Sequence, residues 1–212
     1  MKVLIACEES QTVAMAFRRL GHDAWSCDIQ SPSGKIPQYH IQDDALKIAG
    51  NGEWDCLIGH PPCTYLSKAG ARWMFKTAGN ICKDRYLKCM QAKEFFMHLW
   101  EMDIKYICLE NPTPLKICTL PNYSQAIQPY QFGHPYSKRT LLWLRGLPLL
   151  KYTNILGHHA PYLPSNTGGK KRGERATSGA ANNAKARSKT FPGIADAMAE
   201  QWSHYWHTQG ES

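Results

Sequence analysis

Apolar residues in the first two-thirds of the chain come in short runs separated by longer amphipathic stretches. Residues 3–6 (VLIA) form one run, and residues 12–20 then place Val13, Ala16, Phe17 and Leu20 on one face of a helix that Gly21 ends. Residues 23–27 predict a second strand running into Asp28, followed by a Pro/Gly/Ser-rich turn over 31–37. WDCLIG at 54–59 is a third strand, stopped by Pro61 and Pro62, and residues 85–100 carry the longest helical pattern. YICL at 106–109 is a fourth strand that breaks at Asn111-Pro112, and TLLWL at 140–144 is another. Strands this short and apolar, alternating with helices, predict an α/β fold with a mostly parallel sheet and helices on both faces. In such sheets functional residues collect at the carboxyl ends of the strands, and Asp28, Cys63 and Glu110 all fall at or just past such ends.

The pattern changes after Pro148. Residues 157–187 are rich in Gly, Asn, Ser, Ala and basic residues without periodicity, which reads as a loop able to order on a polyanion. Residues 192–206 return to a helix, with Pro192 in its first turn and Ile194, Met198, Trp202 and Trp206 on one apolar face. Those tryptophans read as packing residues. No internal repeat is found. The organisation expected is one catalytic domain over 1–145 and 188–212, interrupted by a short basic insert at 146–187.

Composition narrows the class. A chain of 212 residues with 43% hydrophobic and 20% charged residues can bury one full core. No apolar run approaches the ~18 residues that cross a membrane, and the opening MKVLIACEES meets two glutamates too early for a signal peptide. The eight cysteines show no paired Cys/His spacing, so no metal site is expected. Cys7, Cys56 and Cys108 sit in apolar runs as small hydrophobes, and reduced thiols in a cytoplasmic protein are the expectation. Charge adds a partner. Of the net +8, the stretch from Ser137 to Thr190 carries eleven Lys/Arg against Glu174 alone. A polyanion is the natural counterpart, since each neutralised phosphate releases counterions; a merely solvated basic loop is the alternative.

Two residues suggest chemistry. Cys63 follows two prolines directly after a strand, which holds a thiol on a rigid turn at the sheet edge. A thiolate is a good nucleophile, and a positive surrounding lowers its pKa from about 8.5; one more buried cysteine among eight is the plain alternative. Glu110 ends the strand YICL, where burial would raise its pKa and suit it to proton donation; a surface glutamate capping a loop is the alternative. A thiol and a carboxyl group at neighbouring strand ends suit methylation at C5 of cytosine. The thiolate adds at C6, the carboxyl group holds N3 protonated, and C5 becomes an enamine-like carbon able to take a methyl group from a sulfonium donor. Loss of the C5 proton and elimination of the thiolate close the cycle.

HPPCTYLSKAG resembles the nucleophile motif of the DNA cytosine-5 methyltransferases, Gly-Pro-Pro-Cys-Gln-x-Phe-Ser-x-x-Gly. Pro61, Pro62, Cys63, Ser67 and Gly70 match in register, Leu66 stands for Phe, and His60 and Thr64 depart. Glu110-Asn111-Pro112 resembles the Glu-Asn-Val that supplies the family's carboxylate. The resemblance implies a Rossmann-like S-adenosylmethionine-dependent methyltransferase fold, with S-adenosylmethionine as cofactor and DNA as partner. It assigns Cys63 as nucleophile and Glu110 as carboxylate. It places Asp28 on the cofactor ribose, Ile29 on adenine, and Asp44-Ala45 at the adenine amino group with Asp43 as a rival. His60, Pro61 and, in the closing motif RSKTFPGIADAMAEQW, Thr190 also fall beside the cofactor.

HPYSKRTLLWL resembles the family's Gln-x-Arg-x-Arg motif, with Tyr136 for Gln and an adjacent Lys138-Arg139 pair. Arg139 is thereby given a base- or phosphate-contacting role in catalysis. Lys138 and the loop residues Lys170, Lys171, Arg172, Arg175, Lys185 and Arg187 are given DNA phosphates. The glycine-rich turn after the family's first strand is absent: the chain reads Ala6-Cys7-Glu8-Glu9-Ser10-Gln11. Either the turn is built differently, with Glu8 or Glu9 and Ser10 meeting the cofactor's methionine part, or cofactor binding is impaired.

The interval 146–187 is short for a target-recognition domain, which implies a phage-like short form with many phosphate contacts and few base contacts. A homodimer or a partner chain would supply the missing surface. The target base is flipped from a duplex or presented in a single strand. Three other readings stay open: the same chemistry on a free pyrimidine nucleotide, an amino-group methyltransferase, and a catalytically silent DNA-binding or regulatory module.

Overall fold

The computed structural model describes residues 1–77, 80–159 and 188–210. Seven strands form one sheet: β1 (Lys2–Ala6), β2 (Asp23–Asp28), β3 (His40–Gln42), β4 (Cys56–Gly59), β7 (Tyr106–Pro112), β8 (Gln125–Ile127) and β9 (Thr140–Arg145). Their spatial order is β3-β2-β1-β4-β7-β9-β8. The first five run parallel, β9 runs antiparallel to β7, and β8 antiparallel to β9. The fold is therefore the mostly parallel α/β sheet that the hydrophobic pattern predicts, and it is Rossmann-like, as the resemblance implies. A short hairpin of β5 (Phe75–Thr77) and β6 (Asn80–Ile81), which the pattern did not announce, follows the small helix α3 (Ala71–Met74).

Alternation along β1 shows why both faces are covered. Val3 and Ile5 face a core completed by α1 (Thr12–Arg19) and the C-terminal helix (Pro192–Gly210), whereas Leu4 and Ala6 face one completed by α2 (Ala45–Ala49) and α4 (Lys83–Glu101). The period of two in a strand sends neighbours to opposite sides, so each strand contributes to two cores at once. In α1 the buried residues are Val13, Ala14, Ala16 and Phe17; Leu20, expected on that face, lies past the last turn and is exposed. Trp202 and Trp206 of the C-terminal helix are buried against α1 and β7, which fits packing residues.

β7 does not break at Asn111-Pro112 as the sequence suggested. It runs through both, pairing Pro112 with Thr140 of β9. Proline lacks an N–H but is tolerated at the end of a ladder. This extension past β4, whose last paired residue is Gly59 opposite Leu109, carries Glu110 and Asn111 over the place where the chain leaves β4. The described part of the supposed insert is tied to the main body. Gln125 exchanges hydrogen bonds with Leu150, Lys151 with Gln201, and Trp202 donates to the Pro148 carbonyl. Among the described residues no helix is long and apolar enough to cross a membrane.

Candidate active site

Because five strands are parallel, their carboxyl ends share one edge, and the strand order reverses on either side of β1. A crevice at that switch point is where open α/β sheets bind ligands. Cys63 reaches it on a tight turn. The Cys63 carbonyl accepts hydrogen bonds from the Leu66 and Ser67 N–H groups at 3.1 and 2.9 Å. Asn111, only 1% exposed, donates its Nδ2 to the Pro61 carbonyl at 2.7 Å, fixing the Pro-Pro step to β7. Beyond the thiol, Arg85 of α4 donates to the Thr64 carbonyl at 2.9 Å and stacks on Tyr65. The same guanidinium explains Gly70: a Cβ there would run into Arg85 and approach the Thr64 carbonyl to 3.2 Å.

Burial pushes the Cys63 thiol above its ordinary pKa, Glu110 adds to the rise, and the Lys138 charge opposes it. The resting group is therefore a thiol, and addition to a ring requires that its proton leave. Glu110 departs from the sequence expectation. Burial alone would raise its pKa, but the His60 hydrogen bond and charge, then Lys138 and a Thr190 hydrogen bond, together bring it down to about 2. The sequence argument counted desolvation and had no partners to set against it; the correction is that Glu110 is a carboxylate, not a carboxylic acid, in the resting site.

His60 is the partner that matters most. Its Nδ1 lies 3.0 Å from Glu110 Oε2, with side-chain exposures of 15% and 12%. Burial pulls the imidazolium down, yet Glu110 and then Glu8 outweigh it and hold the pKa above its ordinary value. Thr190 donates its Oγ1 to the same Glu110 Oε2 at 3.3 Å. His60, Pro61 and Thr190, expected beside the cofactor, are thus engaged with Glu110 and Asn111.

The basic pair before β9 divides. The charge of Lys138 acts on Cys63, His60 and Glu110, and its ammonium lies over Phe191 at 5.9 Å. Arg139 is exposed and donates to the Tyr123 hydroxyl at 3.0 Å instead. The charge that reaches the thiol is thus that of Lys138, while Arg139 is engaged with Tyr123. Lys170, Lys171, Arg172, Arg175, Lys185 and Arg187 lie outside the described residues.

The cofactor-side residues gather along the edges of β1, β2 and β3. The first turn manages without glycine by placing Cys7 and Gln11 at φ 60°, in the left-handed region. Glu8 turns inward: its carboxylate accepts the Val13 and Ala14 N–H groups at 2.7 and 3.2 Å, at the start of α1. That end of the helix, an anion-binding position by its free N–H groups, is filled by the protein's own carboxylate. Ser10 lies 3.3 Å from Glu8 Oε1 and 3.0 Å from the Thr12 hydroxyl. Glu9 is buried with its Oε1 4.0 Å from Lys189 Nζ, and Lys189 also donates to Ser33 at 2.8 Å, drawing the segment before the C-terminal helix onto the first turn.

Asp28 accepts the Gln30 N–H at 2.8 Å, and Ile29 beside it is 75% exposed. Asp44 caps α2 by accepting the Leu46 N–H at 2.8 Å, Ala45 is buried, and Asp43 pairs with Lys47 at 2.6 Å. These residues suit an adenosine group: one carboxylate at the end of β2, an apolar side chain open to a flat ring, and a second carboxylate across β3. The fit to a methionine carboxylate is poorer, since Glu8 occupies α1.

No protein-family model matches the chain, and no curated protein matches it. Among solved structures it is similar to a protein described as a DNA modification methyltransferase encoded within an E. coli prophage, with 13% identity over 77% of this chain and a TM-score of 0.43. It is also similar to a triple alanine mutant of Spodoptera frugiperda DNMT2, with 15% identity over 77% of this chain and a TM-score of 0.38. The chain spans 56% and 57% of those proteins, a little over half of each.

Proposed function

We propose that the protein is a DNA cytosine-5 methyltransferase that attacks C6 of its target base with Cys63. The observation that carries this reading is the convergence, on one turn-and-strand edge, of the Cys63 thiol with the Glu110 carboxylate and the charge of Lys138. Cys63 first loses its proton to solvent, the Lys138 charge stabilises the thiolate, and the sulfur then bonds to C6. Glu110 faces the N3 edge of the ring, and a proton passed to N3 through its carboxyl group neutralises the negative charge that the addition creates. Bound S-adenosylmethionine would supply the methyl group, with Asp28, Ile29 and Asp44 holding its adenosine half and Glu9 facing its amino end.

Covalent trapping tests the proposal. Incubation with S-adenosylmethionine and DNA containing 5-fluorocytosine is expected to give a gel-shifted adduct that survives denaturation and is absent with Cys63→Ser. An adduct that forms equally with Cys63→Ser removes Cys63 from the role. Labelled free cytidine nucleotide offered in parallel separates the DNA reading from one on a small substrate.

A further inference from the structure

We infer that His60 is a positioning residue that stores the proton which the target base takes up at N3, and delivers it through Glu110. The inference rests on the cytosine reading above and deepens it. Its basis is the geometry of the pair. His60 and Thr190 both bind Glu110 Oε2, while Oε1 takes no hydrogen bond from the described residues. One oxygen is thus fixed by the protein, and the other is left for a heterocycle.

A carboxylate cannot itself donate to N3 of neutral cytosine, because N3 is an acceptor. The proton has to come from elsewhere. His60 is the proton-carrying side chain hydrogen-bonded to Glu110, whose carboxylate favours its charged form, and it stands one position from the Pro-Pro-Cys turn. Its backbone N–H is tied to the Ala6 carbonyl at 2.9 Å, so the ring is held between β1 and β7. Its Nε2 is buried with no hydrogen-bond partner among the described residues, so the ring's one polar contact is the Nδ1 edge that meets Glu110. The charged groups acting on it are Glu110 from β7, Glu8 from the turn after β1, and Lys138 from the segment before β9.

The step balances. As cytosine binds, the His60 Nδ1–H bond breaks and an O–H bond forms on Glu110, leaving neutral imidazole and a neutral carboxyl group. That O–H bond breaks and N3–H forms as the Cys63 sulfur adds to C6, restoring the carboxylate. When the thiolate is eliminated, the proton returns from N3 through Glu110 to His60. A purely structural ion pair would hold the two strand ends together and do nothing else.

The test is the pH profile of single-turnover adduct formation on 5-fluorocytosine DNA, for the wild type, His60→Gln and His60→Gly. In the wild type the rate is expected to rise with ionisation of Cys63 and to fall again as His60 loses its proton. His60→Gln, which keeps a hydrogen bond to Glu110 but holds no proton to give, is expected to lose the alkaline fall and about 10²-fold in rate near neutrality, with DNA affinity unchanged. His60→Gly is expected to match it, with exogenous imidazole restoring part of the rate. A His60→Gln profile superimposable on the wild type, or a pH-independent loss matched by a drop in melting temperature, overturns the inference. A wild type that forms no adduct at any pH instead overturns the cytosine reading on which it rests.

Discussion

The two ends of the crevice are built from the same kinds of residue but wired differently. At the thiol end the polar side chains reach across the fold: His60 to Glu110 and Asn111 to Pro61 over 50 residues, and Thr190 to Glu110 over 80. At the cofactor end three carboxylates bind close by in sequence, Glu8 to Val13, Asp28 to Gln30 and Asp44 to Leu46, while Glu9 is tied across the fold to Lys189. Long-range bonds exist only when the sheet is complete, so they align reacting groups with the folded state. Local bonds shape a turn or cap a helix whether or not a ligand comes. The contrast predicts that substitutions at the thiol end act on chemistry and those at the cofactor end act on stability.

Glu110→Gln should show the largest effect. It is expected to lower the single-turnover methylation rate by about 10²–10⁴-fold with little change in DNA affinity, measured by tritium release from C5-labelled DNA. Retained activity would erase the contrast at its strongest point. Glu8→Gln is expected to do the reverse, lowering stability by about 1–3 kcal/mol in urea unfolding while S-adenosylmethionine affinity by calorimetry moves less than about threefold, or under ~0.7 kcal/mol. A large loss of cofactor affinity at unchanged stability would turn Glu8 back into a ligand-binding group.

The carboxylate also sets a pH dependence. Its folded pKa is depressed, so Glu110 stabilises the fold above the ordinary value of 4.5, and that contribution fades as pH falls toward about 2. His60 has the opposite sign: its raised pKa contributes below 6.5 and is lost as pH climbs through the folded value. Urea midpoints across pH should therefore lose their acid-side decline in Glu110→Gln. Asp44→Ala is expected to remove an N-cap worth about 1 kcal/mol. Smallest of all, Arg139→Ala should leave the trapping rate unchanged and reduce the salt slope of DNA binding by about one, whereas Lys138→Ala should slow trapping.

Much of the fold was legible because periodicity is local. The strands at Val3, Asp23 and Cys56 and the helices over Val13 and Phe96 follow from alternation or helical spacing. Cys63 and Glu110 were legible as chemistry at strand ends. The His60–Glu110 bond was not, since it depends on β4 and β7 being neighbours with Gly59 opposite Leu109. The direction of the Glu110 pKa was misjudged for the same reason. That Lys138, of the basic pair, is the charge acting on Cys63 was not legible either, since it depends on how the segment before β9 meets the sheet edge. Arg85 carried no signal beyond lying on a helix; only its approach to Thr64 and Gly70 gives it a role.

The C-terminal helix bears on how the protein comes into being on the ribosome. It covers α1 and β1 with side chains synthesised about 180 residues later, such as Ile194, Met198 and Trp202. Until that helix is made Val13 and Phe17 lack their partner, and a nascent chain with an uncovered apolar face is a substrate for chaperones. The segment that closes the core also brings Thr190 to Glu110 and Lys189 to Glu9. This later-made stretch thus completes both the core and the reactive crevice, so a chain that stops short of it holds its thiol on an unfinished scaffold.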